Sequence, residues 1–301
     1  MMKSPKMNIT IGNIITQKRG NNYVSICSRN KKDNDNHLTA EIIEEITQEE
    51  LDDLNSAFTF CGIYHRINQI KDIVIENGIE FQQYMKSDNL SSMSFQGVSP
   101  EKLILIANKL VFNYASSIKT YIDMETRLLR KNKGENELKL FRSICSQMYD
   151  NSIEYRFWAN FRNYVVHCEF PYAVFHNSID DGCKVICLKD HLLKFDNWKH
   201  SKNDIEKMDN EIDIPSLVNN MSSKIIVLFW DFFTYFGQEI VDGIEKYGSF
   251  CRRHNVKAPA IMKSEEKDQL ENMNMQPLPV QKLFASFEAL KQNPNVNIHY
   301  K

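Results

Sequence analysis

The chain has 301 residues, 42% of them hydrophobic, which is enough to build one elaborated domain with a complete core. Its 37 basic and 39 acidic side chains nearly cancel, which excludes a global positive field for nucleic acid, so any contact with RNA must be local. Seven cysteines and no apolar leader predict reduced thiols in the cytoplasm, and the longest apolar run, residues 225–236, is shorter than the roughly 20 residues that a membrane span needs.

The first 36 residues have the pattern of β structure followed by a polar linker. Apolar residues alternate over residues 7–11 and recur over 23–27, and the turn-forming residues 18–22 between them predict a β-hairpin. Segment 30–36 is polar and charged, and the basic residues around it make it a basic connector. We expect this connector to be a solvated loop, with contact to phosphate as the alternative.

Residues 37–254 have the apolar spacing of a helical bundle. The first helix is expected to begin near Thr39 or Thr47 and to end at Gly78. Thr47 and Glu50 fit a capping box, in which each residue bonds to the backbone of the other.

The second predicted helix has the clearest start, with Ser99 as its cap and Pro100 at its first position. Its apolar face consists of Leu103, Ala107, Leu110, Tyr114, Ile118, Tyr121 and Leu128. Its end has the densest basic stretch, Arg127, Arg130, Lys131 and Lys133. Cations at a helix C-terminus interact favourably with the helix dipole, which explains them structurally. As a weak prediction, these four residues contact an RNA backbone.

A central helix is predicted from residue 136 to residue 167, with a bend at 150–152, and Pro171 prevents it from continuing. Residues 172–190 form a second predicted hairpin, which we expect to wall a cleft at the end of this helix. Residues 199–213 are polar and charged and predict a surface loop.

The segment 215–247 is apolar nearly all round its helical circumference. This pattern predicts either the central helix of the bundle or the seam of a dimer. Residues 255–301 predict a polar tail in which residues 280–291 form a short amphipathic helix.

The histidines and cysteines that come closest to a metal-binding pattern are His176, Cys183, Cys187 and His191, with Cys168 nearby. Their spacing does not match the closely paired ligands of structural zinc sites. We therefore predict no metal and no cofactor, and a zinc-dependent protein is the least favoured interpretation.

The segment whose residue types are best suited to catalysis is residues 154–171, EYRFWANFRNYVVHCEFP. Its apolar residues are spaced to face a core: Tyr155, Trp158, Ala159, Val165 and Val166. Arg162, Asn163 and His167 then lie at the margin of that core. Asn163 and His167 are four residues apart on one helix face, and the long Arg162 side chain is expected to reach the imidazole.

Arginine can hold a phosphate, histidine can move a proton near neutral pH, and an amide can orient either of them. These residue types suit phosphodiester cleavage without a metal. A structural alternative is that Arg162 and His167 complement the dipole of the helix end.

The run Arg162-Asn163-Tyr164-Val165-Val166-His167 resembles the Arg-x(4–6)-His motif of the HEPN superfamily, in which a polar residue, often Asn, follows the arginine. The resemblance implies a mainly α-helical, HEPN-like bundle, here with two accessory β-hairpins. It also implies a homodimer in which two copies of the Arg–His pair share one cleft. HEPN domains partnered by a nucleotidyltransferase antitoxin have a tyrosine two residues after the histidine, where this chain has Glu169.

Many HEPN proteins are metal-independent endoribonucleases of toxin, abortive-infection and antiviral defence systems. The resemblance therefore implies that this chain cleaves RNA, with an antitoxin or another defence protein as a further partner. The short apolar runs predict that no membrane is involved. Arg162 would stabilise phosphate charge, His167 would transfer a proton and Asn163 would orient them. The alternative is a non-catalytic HEPN-like module that binds RNA, a nucleotide or a partner protein.

Overall fold

The computed structural model describes residues 8–10, 23–30, 39–178, 180, 182–257, 259–264 and 274–298. The α-helices in this part of the chain are α1 (Gln48–Ser56), α2 (Thr59–Tyr84), α3 (Ser87–Phe95), α4 (Pro100–Asn132), α5 (Glu135–Asn151), α6 (Ile153–His167), α7 (Lys189–Leu193), α8 (Ser201–Glu206), α9 (Ile214–Thr234), α10 (Gly237–Arg253) and α11 (Val280–Gln292). The strands are β1 (Asn8–Thr10), β2 (Tyr23–Asn30), β3 (Thr39–Glu45), β4 (Tyr172–Ser178), β5 (Gly182–Cys187), β6 (Pro259–Ser264) and β7 (Asn274–Pro277). Helices dominate, which confirms the predicted mainly α-helical bundle.

The chain divides into two compact units, and the division falls inside α2 and directly before Phe236. One unit contains the described residues up to Tyr64 and those from Phe236 onward; the other consists of residues 65–235. The sequence-based division into 1–36, 37–254 and 255–301 differs from this one, because the residues assigned to a single bundle belong to both units. None of the described helices combines the length and the hydropathy that crossing a bilayer requires.

The unit that contains both ends of the chain has a five-stranded sheet in the order β1-β3-β2-β6-β7. The two N-terminal strands do not pair with each other, because β3 lies between them, parallel to β1 and antiparallel to β2. Residues 39–45 therefore form a strand, and the first helix starts after Thr47, whose capping box with Glu50 is confirmed. The predicted turn 18–22 and most of the basic connector lie outside the described residues.

The helices of this unit share a core that includes Leu54, Phe58, Tyr247 and Phe250. The predicted helix at the C-terminal end is present as α11, and Leu283 and Leu290 on it are buried. Residues 255–301 thus contribute strands and a packed helix to this unit.

The second unit, residues 65–235, is built around α4, whose predicted cap at Ser99 and predicted buried face are confirmed. The expected break at Gly78 is wrong, since α2 continues through it to Tyr84. A Cβ atom at Gly78 would lie 2.8 Å from Val218 Cγ1 and 2.9 Å from Tyr114 Cε2, so the glycine lets three helices approach closely. Packing rather than helix termination explains this residue.

The segment 215–247 is two helices, α9 and α10, which belong to different units. Most of the apolar surplus of α9 is buried in the core of its own unit, where Val218, Met221, Ile225 and Phe232 lie. This supports the central-helix interpretation for α9. Ile226 and Val227 remain exposed on α9, so only a small part of the apolar surplus still supports the dimer-seam alternative.

Candidate functional site

Helix α6 begins at a bend, as predicted for residues 150–152. Ser152 has an extended backbone, with φ −133° and ψ 119°, and its side-chain oxygen accepts a hydrogen bond from the backbone N–H of Tyr155 at 3.2 Å. The cap separates α6 from α5 and starts a new helix with its own direction. The helix then ends at His167, and the N–H of Cys168 closes the last turn by donating to the carbonyl of Tyr164 at 2.8 Å.

Aromatic packing fixes the orientation of α6. Its buried residues are Tyr155, Phe157, Trp158, Asn160, Phe161 and Tyr164. Trp158 also donates its indole N–H to the carbonyl of Leu217 on α9 at 3.1 Å. Ala159 and Val166 were expected in this core, but both are exposed, and Val166 keeps 49% of its surface. The large aromatic residues outcompete these smaller residues for the buried face because they remove more apolar surface from water.

Arg162, Asn163 and His167 lie at the margin of the core, as the sequence predicts. Arg162 is half-buried, while Asn163 and His167 are exposed on the last turns of the helix. Within the described residues, none of the three side chains has a hydrogen-bond or ion-pair partner. Their polar atoms are therefore available to a ligand.

The structure contains no hydrogen bond between the side chains of Arg162 and His167, although the sequence predicted that the arginine would reach the imidazole. Residues five positions apart on an α-helix point about 140° away from each other. Arg162 and His167 therefore lie on the two sides of the exposed strip that contains Asn163 and Val166. A single copy of α6 presents the two groups side by side across this strip and does not pair them.

A second arginine of α6 has a different environment. Arg156 donates from Nε to Asp204 Oδ2 at 2.7 Å and from Nη2 to Asp204 Oδ1 at 3.2 Å. Its Nη1 donates to the carbonyls of Tyr149 and Asp150, which close the end of α5. Because Asp204 stabilises the guanidinium by these hydrogen bonds, the pKa of Arg156 is raised. Arg156 is thus a structural residue, and sequence analysis missed it because its partner lies on α8, inside the predicted surface loop 199–213.

A cluster of ionisable side chains lies just beyond the end of α6. Glu169 Oε1 is 3.1 Å from Lys194 Nζ and 3.9 Å from His191 Nδ1. Cys168, between Glu169 and His167, is exposed as a residue. Partial desolvation of its thiol by neighbouring atoms, followed by the charge of Glu169, raises the pKa of the thiol. A raised thiol pKa makes Cys168 a weak nucleophile.

The predicted hairpin 172–190 is confirmed as β4 and β5, which pair in antiparallel register. It packs on α3 and α4: the N–H of Cys183 donates to Ser91 Oγ at 3.0 Å, and Asn108 bonds to both the N–H and the carbonyl of Tyr172. The wall that was expected at the Arg–His cleft therefore lies against these two helices.

The histidines and cysteines of this region do not converge. Cys183 and Cys187 are buried, whereas His176, which pairs with Lys184 in the strand register, is exposed. No group of three or more His, Cys, Asp or Glu side chains among the described residues is arranged to hold a metal ion.

The basic residues at the end of α4 keep their predicted place. Arg127, Arg130 and Lys131 are exposed on its last turns, and Lys133 is half-buried. Arg130 Nε is 3.6 Å from Glu135 Oε1, an exposed pair that stabilises the fold little. These residues lie on α4, a different element from the one that bears Arg162.

A buried acid that sequence analysis did not single out lies in the same unit. Glu125 on α4 is fully buried and lies beside the hydroxyl of Tyr121. Burial has the largest effect on its carboxyl and raises its pKa well above the ordinary value; hydrogen bonding with Tyr121 lowers the pKa, and the charge of Asp231 raises it further. Its position on the apolar stripe of α4, four residues after Tyr121, was the available signal.

The end of α6 thus presents a cation, an amide and an imidazole on one helix surface, and none of the three has a partner among the residues that the structure describes. These groups can hold a phosphate and transfer a proton. Comparisons with protein-family models, with curated proteins and with solved structures find no match to this chain. A functional assignment therefore depends on the chemistry and geometry of α6.

Proposed function

We propose that this chain is a HEPN-type, metal-independent endoribonuclease of the cytoplasm with a role in bacterial defence or toxin-type growth arrest. The observation that carries the proposal is the contrast between two arginines of α6. Arg156 donates hydrogen bonds to Asp204 and to two carbonyls at the end of α5, whereas Arg162 has no partner among the described residues. None of the described contacts that hold the fold uses the Arg162 guanidinium, which leaves it available to bind a phosphate.

The helix-dipole explanation covers only part of the site. His167 lies in the last turn of α6, where a cation interacts favourably with the helix end. Arg162 lies more than a turn earlier, where this interaction has faded. The dipole therefore accounts for His167 but not for Arg162, and a shared role in binding and cleaving RNA accounts for both.

In the proposed reaction the ribose 2′-hydroxyl attacks the adjacent phosphorus. His167 takes the proton of this hydroxyl, Arg162 binds the non-bridging oxygens as charge develops on them, and Asn163 orients the phosphate or the ring. Arg127, Arg130, Lys131 and Lys133 are proposed as a weaker contact for the RNA backbone at the end of α4.

A homodimer is part of the proposal because Arg162 and His167 lie on either side of one exposed strip. Val166 on this strip is 49% exposed, and Phe170 just beyond the helix is 55% exposed. A second copy packed over these apolar side chains would remove them from water and would surround one phosphate with two Arg162–His167 sets.

The geometry of a single copy favours a second candidate function. Since one chain does not pair Arg162 with His167, the same surface could bind RNA, a nucleotide or a partner protein, such as an antitoxin, without cleaving anything. Binding without cleavage needs only the unengaged donors, whereas cleavage needs the proton transfer as well.

Incubation of the purified protein with total RNA tests the proposal. We expect discrete fragments that form equally well in EDTA and that are absent when the protein is His167→Ala. Retention of labelled RNA on a filter with no fragments would support the non-catalytic module. If the protein neither cleaves nor retains RNA, both the nuclease and an RNA-binding module are refuted, and binding of a nucleotide or a partner protein needs its own assay.

A further inference from the structure

The cluster beyond α6 places a second histidine at the same end of this helix. Glu169 follows His167 by two residues, so their Cα atoms are at most about 7 Å apart. His191 Nδ1 faces Glu169 Oε1 at 3.9 Å, and Lys194 Nζ contacts the same oxygen at 3.1 Å. The side chains of His191 and Glu169 are 28% and 36% exposed, so a ligand can reach both of them.

The segment that carries His191 is anchored firmly on α6. Trp198 stacks on Tyr164, with ring centroids 5.4 Å apart, and Phe195 meets the same Tyr164 ring edge-on at 6.0 Å. Trp198 also donates its indole N–H to the carbonyl of Leu192 at 2.6 Å, which ties α7 to this aromatic stack. Tyr164 precedes His167 by less than one helical turn, so α7 is held against the part of α6 that ends in His167.

The proposed cleavage requires two proton transfers. One group must remove the proton of the 2′-hydroxyl, and another must protonate the 5′-oxygen as it leaves, because an alkoxide is a poor leaving group. One His167 imidazole can make only one of these transfers in a single step, and in the proposed dimer the partner's His167 is the competing candidate for the other. Among the described side chains, His191 is the titratable ring held at the same helix end by a carboxylate.

We propose that His191 is the general acid of this nuclease, oriented by Glu169, and this inference rests on the proposed function. The 2′-oxygen forms a bond to phosphorus while the bond from phosphorus to the 5′-oxygen breaks. The 2′-hydroxyl proton passes to the His167 imidazole, and the proton of the His191 imidazolium passes to the departing 5′-oxygen. With Nδ1 facing Glu169, Nε2 is the nitrogen that meets the substrate.

A purely structural role for the cluster makes a different prediction. Partly exposed ion pairs contribute little to stability, and their loss leaves the chemical step unchanged. Removing a general acid, by contrast, slows the reaction most when the leaving group is a strong base that must be protonated, and least when it leaves without a proton. The dependence on the leaving group therefore distinguishes the two roles.

The experiment uses two RNA oligonucleotides that span a cleavage site mapped with the wild-type protein. In one, the 5′-bridging oxygen of the scissile phosphate is replaced by sulfur, which leaves as a thiolate without protonation. We expect His191→Ala to slow cleavage of the oxygen substrate by about 100-fold or more and of the sulfur substrate by less than about 10-fold. His167→Ala should slow both substrates, since the 2′-hydroxyl is the same in each.

The ratio of the two rates is measured on one protein sample, so it does not depend on the fraction that is folded. Glu169→Gln should shift this ratio in the same direction by a smaller factor, because it loosens the orientation of His191. His200→Ala, which removes an exposed histidine before α8, is the control and should leave the ratio unchanged. An unchanged ratio in His191→Ala, with an active wild type, would overturn this inference alone. A wild type that cleaves no RNA, so that no site can be mapped, would overturn the proposed function together with it.

Discussion

Arg156 and Asp204 are joined by two parallel hydrogen bonds, although they are 48 residues apart in the chain. Both side chains are largely buried, with 15% and 16% of their surfaces exposed. Arg162, on the same helix, contrasts with Arg156: it is half-buried and has no partner among the described residues. The two arginines of α6 therefore differ in role: Arg156 stabilises the fold, and Arg162 is available to a ligand.

We expect Arg156→Ala to lower the free energy of unfolding by about 2–4 kcal/mol, because it leaves Asp204 largely buried without its partner and frees two carbonyls of α5. Arg162→Ala should change it by less than about 1 kcal/mol. Urea unfolding followed by circular dichroism measures both. Equal losses in the two variants would contradict the division of roles.

For activity we expect the larger effect at Arg162 and His167. Arg162→Ala and His167→Ala should keep the fold and lower RNA cleavage by roughly 100-fold or more, the usual scale for a lost charge-stabilising or acid–base group. The double variant should be scarcely worse than either single one, because groups that act as a unit are non-additive. Asn163→Ala should fall between. Initial rates on a labelled RNA provide the comparison, and a folded His167→Ala that cleaves as fast as the parent would end the nuclease proposal.

The products should report the nucleophile. If the 2′-hydroxyl attacks, fragments end in a 2′,3′-cyclic phosphate and begin with a 5′-hydroxyl, and DNA of the same sequence resists. Treatment with polynucleotide kinase, which labels a 5′-hydroxyl end directly, reads this out on a gel. Fragments with 5′-phosphates would point instead to attack by water or by a metal-bound hydroxide.

The strip between Arg162 and His167 should be a dimer interface. We expect the wild type to be a dimer by light scattering at micromolar concentration, and Val166→Glu combined with Phe170→Glu to give a monomer with little cleavage, since two carboxylates would enter an apolar contact. Leu140→Glu, at an exposed apolar position on α5, is the control and should remain dimeric. A monomeric wild type with full activity would remove the dimer from the proposal.

Glu125 should make this unit less stable as the pH rises. In the unfolded chain its carboxyl has a pKa near the ordinary 4.5, whereas burial raises the folded-state pKa well above that value. Above about pH 4.5 the unfolded chain therefore releases a proton that the folded chain retains, and stability falls by about 1.4 kcal/mol for each pH unit until the folded group also ionises.

The test is Glu125→Gln, which keeps the shape and removes the titration. Its unfolding midpoint between pH 5 and pH 9 should fall less than that of the wild type. Glu76→Gln, on the exposed side of α2, serves as the control and should follow the wild type. Parallel curves for Glu125→Gln and the wild type would show that the buried carboxyl does not control this dependence.

Several local features could be predicted from the sequence. The capping box of Thr47 and Glu50 and the cap at Ser99 depend on residues three positions apart, so their chemistry is complete within one turn. The end of α6 near His167 follows in the same way from the proline that soon comes after it. The predictions that failed concern partners that are distant along the chain. Gly78 was expected to end a helix, but the side chains of Val218 and Tyr114 give it a packing role.

The amino-acid sequence by itself determined the helical class of this protein, several of its helix starts, and the presence of Arg162, Asn163 and His167 near the end of one helix. Only the tertiary structure decided that Arg156 is paired with Asp204, that Arg162 has no partner in the described part of the chain, and that His191 faces Glu169. The reason is physical. Helix caps and periodicity act over a few residues, whereas the availability of a side chain depends on which distant residues pack beside it.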